Sequence, residues 1–278
     1  MSIWTIPLTS PLRRMSFDTP ENLVELLNKI IHLASQTIFW SPKIAGIESI
    51  DSLESFSQIP STKLTDYRKH LLPDLIVRPD QIAWIVGAYK GHDPTSPPVA
   101  ESVNEATLRY DVFLDAVKAC IDITTPRTCV VQTTPERRYF ASEVATMLIS
   151  AGVAAHVFTD TVDIRSYERI HLLQPSILVA LGKGIDERRL GDSIELSITF
   201  GANQQFRRSK QLDLLHVDEI GFLAQSAGDD LYTPNNDIYL FEQSSNGNIV
   251  VTSLYNHVQP ILRVEVPDMK ASKFRLTV

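Results

Sequence analysis

The sequence predicts an α/β protein whose mainly parallel sheet is flanked by helices and followed by an antiparallel, β-rich subdomain. The first observation is an alternation of strands and helices between Arg127 and Leu181, which is typical of βαβ units. The second is a change to short strands separated by turn residues after Leu212. The third is the dipeptide Asn246-Gly247 between two of those strands, which is a strong hairpin signal.

Amphipathic helices are predicted for the N-terminal part of the chain. Thr19-Pro20-Glu21 combines a capping hydroxyl, a proline and an acid, and apolar residues follow at helical spacing to about Ser35. Between residues 52 and 72 a short helix runs to an Ile-Pro dipeptide, and Ser61 or Thr62 is expected to cap a second helix. We therefore predict a helical entry segment at residues 1–80.

The rest of the chain divides into an α/β part at residues 81–211 and a β-rich part at residues 212–278, within one domain. The predicted elements of the α/β part are, in order, strand Ile82–Tyr89, helix Glu101–Ile121, strand Arg127–Gln132, helix Glu136–Ala151 closed by Gly152, strand Ala154–Phe158, helix Asp163–Leu173, strand Ser176–Leu181, strand Glu195–Gly201 and helix Gln204–Gln211. Antiparallel strands are predicted at Gly221–Ser226, Asp237–Glu242 and Asn248–Leu254.

Composition narrows the classes of protein that fit. The 278 residues are 44% hydrophobic and 21% charged, which is typical of a globular protein. No apolar run approaches the roughly 20 residues that a transmembrane helix needs, and no secretory signal is recognisable. The net charge of −7 argues against a nucleic-acid surface, and two cysteines are too few for a disulfide framework. We therefore expect a cytoplasmic protein with neither a nucleic-acid nor a membrane partner.

The run from Asn248 to Asp268 resembles the end of the large N-terminal domain of adenylate-forming enzymes, most closely the phenylacetate–CoA ligase branch. In that branch the run reads roughly G-E-L-V-V-T-x-L, then P-L-I-R-Y, then x-G-D. The residues in matching places are Val250, Val251, Thr252, Leu254, Pro260, Ile261, Leu262, Arg263 and Asp268. Because Val278 follows soon after and the family continues into a small C-terminal lobe, the resemblance implies a shortened, single adenylate-forming-like domain over 1–278.

Two motifs of that family are altered in this sequence. The family's Ser/Thr/Gly-rich phosphate loop would fall at residues 87–98, which contain an acid and three prolines, and prolines remove backbone donors. The family's Y-G-x-T-E segment aligns with Leu215–Glu219, where Asp218 replaces the threonine that meets phosphate. A carboxylate there repels phosphate. The resemblance therefore implies a degenerate relative without cofactor, in which ATP and Mg²⁺ are not expected.

His216, Asp218 and Glu219 are the candidate catalytic residues. A histidine with two neighbouring acids at a strand-to-loop junction can supply a general base whose partner acid tunes it. The same residues are also compatible with a divalent metal site or with a solvated turn, because adjacent strand residues point to opposite faces. We expect no bound metal.

Five further residues are candidates for substrate binding. The resemblance places His92 of the altered loop and His257 of the turn near one cleft, and Asp268 matches the family's aspartate that binds the ribose hydroxyls of ATP. Lys90 of the altered loop and Arg263 are the other two candidates. The alternatives are ordinary surface histidines and a structural ion pair for Arg263. Gly182-Lys183-Gly184 lacks Walker spacing and is better explained as a glycine turn.

Three functional hypotheses follow, and the step from fold to function rests on analogy. The first is an accessory enzyme of a biosynthetic, including secondary-metabolite, pathway that acts on a small carboxylate or amino-acid-like substrate by isomerase, lyase or cyclase chemistry. The second is a non-catalytic binding or scaffold protein that pairs with itself as a homodimer or with a full-length ligase or other biosynthetic enzyme. The third is residual adenylation with a lobe supplied in trans.

Overall fold

The structure is a computed structural model, and it describes residues 13–14, 23–86, 98–159, 164–181, 192–201, 206, 209–227 and 231–275. The chain forms two compact units. The first comprises residues 1–87, 95–106 and 233–278, and the second comprises residues 88–94 and 107–232. The predicted combination of a mainly parallel sheet, flanking helices and an antiparallel β-rich part is confirmed. The division of one domain at residues 80 and 211 stays a prediction.

Helices occur in both the N-terminal and the central parts of the chain. They are α1 Leu23–Ala34, α2 Leu53–Ser57, α3 Leu64–Tyr67, α4 Leu72–Leu75, α5 Val103–Cys120, α6 Arg138–Ser150 and α7 Ile164–Leu173. Short 3-10 helices lie at Pro79–Gln81, Pro135–Arg137 and Ala271–Lys273. No helix of the described part of the chain is both long enough and apolar enough to span a bilayer.

Strands are concentrated after residue 84. They are β1 Arg13–Arg14, β2 Thr62–Lys63, β3 Trp84–Val86, β4 Val99–Glu101, β5 Thr128–Gln132, β6 Ala154–Phe158, β7 Ile177–Ala180, β8 Leu196–Thr199, β9 Lys210–Val217, β10 Gly221–Ser226, β11 Thr233–Pro234, β12 Tyr239–Gln243, β13 Asn248–Ser253 and β14 Val264–Lys270.

Several predicted helix boundaries are wrong. The second helix predicted between residues 52 and 72 ends at Tyr67, a separate α4 begins at Leu72, and Glu101, predicted to begin a helix, is the last residue of β4.

Two further boundaries change because of strand pairing. Neither Ser61 nor Thr62 caps α3, because Thr62 pairs with Val264 in a sheet and Lys63 occupies the cap position without a side-chain bond. The helix predicted to run to Gln211 is also wrong at its end, because β9 begins at Lys210 and extends the parallel sheet. In both places strand pairing with a distant segment overrides local helical signals.

The first unit contains a five-stranded sheet in the order β1-β12-β13-β14-β2. Its pairs are antiparallel except for β14 with β2, which is parallel. The predicted Asn246-Gly247 hairpin turn joins β12 to β13, and Gly247 adopts a φ of 82°. A two-stranded antiparallel sheet of β3 and β4 completes the unit.

The sheet of the second unit runs in the order β10-β9-β8-β7-β5-β6. The five strands from β9 to β6 are parallel, and β10 is antiparallel to β9. One face is covered by α7, whose Tyr167 and Ile170 pack against Val130 of β5 and Leu178 of β7. Both cysteines are free, and burial raises the pKa of the Cys129 thiol well above its usual range.

The predicted end of α6 at Gly152 is confirmed. Gly152 has a φ of 86°, and its N–H donates to the carbonyl of Ile149 at 2.9 Å, as in a glycine C-cap. A Cβ at this position would meet no heavy atom within 4 Å, so the cost of a substitution is conformational.

Gly152→Ala is expected to lower the free energy of unfolding by about 1–2 kcal/mol, the cost of a left-handed conformation for a residue with a Cβ. Gly152→Asn is the matched control and should cost less, because asparagine tolerates this conformation. Urea unfolding of the three proteins measures both values. An unfolding free energy of the alanine variant equal to that of the wild type would contradict the assigned cap.

Candidate active site

The parallel strands of the second unit all end at the same edge of its sheet. Strand β5 has β6 on one side and β7 on the other, so the connections from neighbouring strands leave in opposite directions there. Open α/β sheets bind ligands at such a point, outside the carboxyl ends of the strands. The described residues at or near the carboxyl ends of these strands therefore form the candidate site.

His216 lies at this edge, one residue before the end of β9. Its ring stacks on Phe140 of α6, with centroids 4.6 Å apart and planes inclined by 23°, and lies 4.8 Å from the ring of Phe222. Its side chain is 4% exposed, and its Nδ1 lies 3.5 Å from Asp218 Oδ1 but makes no hydrogen bond. Aromatic packing therefore fixes the imidazole and leaves its Nδ1 available.

Arg137 brings a positive charge to the same edge. It stands just before α6, and its Nη1 donates to the carbonyl of Leu181, at the end of β7, at 2.9 Å. Its guanidinium lies 5.7 Å from the centre of the Phe140 ring. Burial lowers the pKa of Arg137, and the negative charge of Asp218 opposes that shift. An arginine remains protonated under these conditions, so the edge holds a cation facing a carboxylate.

Two further buried polar residues belong to this edge. Gln132 is the last residue of β5; its side chain is buried, and its Oε1 has no hydrogen-bond partner. Glu219 is buried in the turn between β9 and β10. A buried amide oxygen without a partner is costly, so Gln132 offers an acceptor that a bound molecule can satisfy.

A hydrogen-bond network around Asp213 joins the end of β8 to the middle of β9. Asp213 Oδ1 accepts from the hydroxyl of Thr199 at 2.6 Å and from the N–H of Gly201 at 3.0 Å. The hydroxyl of Tyr232 donates to Asp213 Oδ2. Burial and the neighbouring carboxylate raise the pKa of Tyr232 well above its usual range, so the tyrosine keeps its proton. The network fixes the backbone on both sides of Phe200, which packs edge-on against Phe140.

The opposite, amino-terminal edge of this sheet has a polar cleft of about 420 Å³. Three of its charged groups already have partners. Arg127 forms an ion pair with Glu195, and Lys210 Nζ donates to the carbonyl of Cys120 at 3.0 Å. Because these groups already have partners in the protein, the cleft is a weaker candidate for ligand binding than the carboxyl edge.

Arg263 of the first unit is almost completely buried, with 1% exposed. Its Nε donates to Glu242 Oε2 at 2.9 Å, and its Nη1 donates to the carbonyls of Ser57 and Ile59. The guanidinium thus ties the segment after α2 to the sheet. The substrate-binding role predicted for Arg263 stays a prediction.

His257 and Asp268 have different surroundings in the first unit. The backbone N–H groups of His257 and Val258 donate to Glu105 Oε1, the second at 3.0 Å. Burial lowers the pKa of His257, helped by the charge of Lys29 and opposed by Glu105. Asp268 is exposed, with a φ of 62°, in an irregular part of β14.

The structure thus brings His216 and Asp218 together and places Glu219 in the adjoining turn, whereas His257, Arg263 and Asp268 belong to the first unit. Lys90, His92 and Gly182-Lys183-Gly184 lie outside the described residues. Among the residues that are described, no group of three His, Cys, Asp or Glu side chains has the arrangement of a metal site.

Sequence reasoning missed Arg137 and Gln132. The available signal was their position, since both lie where a buried parallel strand passes into a helix. The carboxyl ends of such strands are where open α/β sheets bind ligands.

This chain has the fold of the large domain of adenylate-forming acyl-CoA ligases. No protein-family model matches the sequence, and no curated protein matches it. Among solved structures, the chain is similar to 2-hydroxyisobutyryl-CoA ligase. Its open conformation with 2-HIB-AMP and CoA superposes with a TM-score of 0.69 and 15% identity, over 94% of this chain and 68% of that chain.

Two other states of that enzyme agree. The thioesterification state with 2-HIB-AMP and CoA gives a TM-score of 0.69 and 14% identity, over 94% of this chain and 66% of that chain. The postadenylation state with R3-HIB-AMP gives a TM-score of 0.69 and 14% identity, over 93% of this chain and 66% of that chain. The chain thus spans about two thirds of the length of these structures. At this identity the likeness establishes the fold alone.

Proposed function

We propose that the second unit binds a small carboxylate-bearing molecule at the carboxyl edge of its parallel sheet and processes it by acid–base chemistry without ATP. The supporting observation is the buried His216, its Nδ1 3.5 Å from Asp218 Oδ1, in the same edge as the cation of Arg137. Such an enzyme would serve as an accessory step in a biosynthetic pathway, as a relative of the phenylacetate–CoA ligase branch.

In this proposal Arg137, His216 and Asp218 each have a separate role. Arg137 pairs with the carboxylate of the substrate, because a guanidinium matches a carboxylate in planar, bidentate geometry. His216 accepts a proton from the substrate on Nδ1 and returns it at another atom, and the negative Asp218 stabilises the imidazolium in between. The aromatic rings around His216 exclude water. This division of labour fits an isomerase, lyase or cyclase reaction.

Asp218 also argues against a nucleotide triphosphate at this edge. Its side chain is 6% exposed and lies beside His216, where the family's motif has a threonine that meets phosphate. Two negative groups within about 4 Å of each other in a site with an effective dielectric constant near 20 repel by about 4 kcal/mol. Loss of ATP use is therefore part of the proposal.

The fold favours one second candidate, ATP-dependent adenylation, because the similar structures hold an acyl-adenylate and Glu219 matches the family's acid. Titration with Mg-ATP separates the two functions. Our proposal expects no heat of binding and no change in melting temperature. Micromolar binding of ATP would instead support adenylation.

His216→Gln is expected to weaken binding of a carboxylate ligand at least tenfold, because the ligand beside Arg137 loses its contact with the Nδ1 atom of His216, which has no hydrogen-bond partner among the described residues. The probes are acetate, propionate, benzoate, phenylacetate and the amino acids, tested by thermal shift and calorimetry. His171→Gln is the matched control, since His171 is exposed on α7, and it should bind as the wild type does. Equal binding by both variants would contradict the role of His216.

A further inference from the structure

Strand β6 is an open edge of the sheet in the second unit. Within the described part of the chain, it pairs with β5 on one side and ends the strand order on the other. Ala154, His156 and Val157 are exposed, and the other two residues are half-buried. An edge of this kind presents unpaired N–H and C=O groups that can accept another strand.

The register shows which backbone groups face outward. The N–H of Ala154 donates to Arg127, and the carbonyl of Phe158 accepts from Thr133, both at 2.9 Å. Alternate residues of a strand direct these groups to the same side, so Ala154 and Phe158 face β5. Ala155 and Val157 therefore direct theirs to the open edge, symmetrically about His156.

The usual protections of an edge strand are missing from β6. Natural edges carry lysine, proline, inward charges or a bulge, whereas the sequence here is Ala-Ala-His-Val-Phe. The strand therefore has no acidic residue, lysine or arginine that would oppose pairing with a second copy.

We propose that β6 pairs antiparallel with β6 of a second copy, so that the two sheets become one. The two-fold axis passes beside His156, Ala155 hydrogen-bonds with Val157 of the partner, and Val157 hydrogen-bonds with Ala155 of the partner. This register pairs the backbone N–H and C=O groups of both Ala155 and Val157 in each strand. It places no acidic residue opposite another acidic residue, and no lysine or arginine opposite another. The symmetry favours a second copy over an unrelated peptide, because the same five residues satisfy both sides of an isologous interface.

The expected dimer is weak. Stable interfaces bury about 800 Å² on each partner, and a five-residue strand lies at the small end of that range. The five-residue strand alone sets the interface in this proposal, so we expect dissociation at micromolar concentrations. The inference is independent of the proposed small-molecule site.

Sedimentation of the whole chain between micromolar and several hundred micromolar tests this inference. The wild type should form dimers, and Val157→Lys should raise the dissociation constant at least tenfold, because it places two like charges near the two-fold axis. Leu71→Lys, at a position 73% exposed in the first unit, makes the same charge change and should dimerise as the wild type does.

Hydrogen exchange of the wild type gives a second measurement that needs no variant. The amides of Ala155 and Val157 should exchange more slowly at high protein concentration than at low concentration. A monomer at every concentration, a dimer unaffected by Val157→Lys, or concentration-independent exchange at these two amides would each overturn the proposal.

Discussion

Arg263→Met is expected to lower the free energy of unfolding by about 3–5 kcal/mol, because it leaves the buried carboxylate of Glu242 without its partner. Both side chains are almost completely buried, with 1% and 0% exposed. The change also removes the donor to the carbonyls of Ser57 and Ile59. Guanidinium unfolding with a linear extrapolation measures the loss.

Two controls define the origin of that effect. Arg78→Met changes an exposed arginine of the same unit and should stay within about 0.5 kcal/mol of the wild type. The double variant Arg263→Met with Glu242→Gln should recover part of the loss, because the uncompensated charge is gone. A small loss for Arg263→Met, together with lost binding of carboxylate probes, would instead support the substrate-binding role predicted for Arg263.

Arg137→Met is expected to weaken binding of a carboxylate ligand by about 10–100-fold, the equivalent of one hydrogen bond to a charged group at about 1.5–3 kcal/mol. The guanidinium supplies a positive charge at the carboxyl edge of the second unit, where it also donates to the carbonyl of Leu181. Calorimetric titration with the tightest-binding acid among the carboxylate probes measures the dissociation constant.

The neighbouring arginine provides a matched control. Arg138 is exposed and its guanidinium donates to the hydroxyl of Tyr139, so Arg138→Met should bind as the wild type does. Arg137→Lys keeps the charge but loses the planar fork, and it should lie between the wild type and Arg137→Met. If Arg137→Met and Arg138→Met weakened binding equally, the overall positive charge near α6, and not the position of Arg137 at this edge, would govern binding.

The sequence predicted the fold well where local signals and long-range pairing agree. The alternation from Thr128 to Ala180, the glycine cap at Gly152 and the Asn246-Gly247 turn all appear in the structure. It failed where a distant strand decides the local structure. Thr62 is held by β14, and Lys210 by β8, and neither partner is visible in a local window.

The candidate site was predictable only in part. His216, Asp218 and Glu219 were found because they are adjacent in sequence. Arg137 is far from them along the chain, and only the ends of β5 and β7 bring it near Asp218. Similarly, the aromatic packing of His216 on Phe140 depends on how α6 lies against the sheet, which composition and spacing do not specify.

The most direct test of the central claim observes His216 itself. The imidazole signals of the wild type, assigned by comparison with His216→Gln, are followed by NMR during titration with the carboxylate probes and with Mg-ATP. We expect at least one carboxylate to shift the His216 signals saturably while those of His171 stay fixed, and Mg-ATP to shift neither. Unchanged His216 signals with every carboxylate, or a saturable shift with micromolar Mg-ATP, would contradict an ATP-independent carboxylate site at this edge.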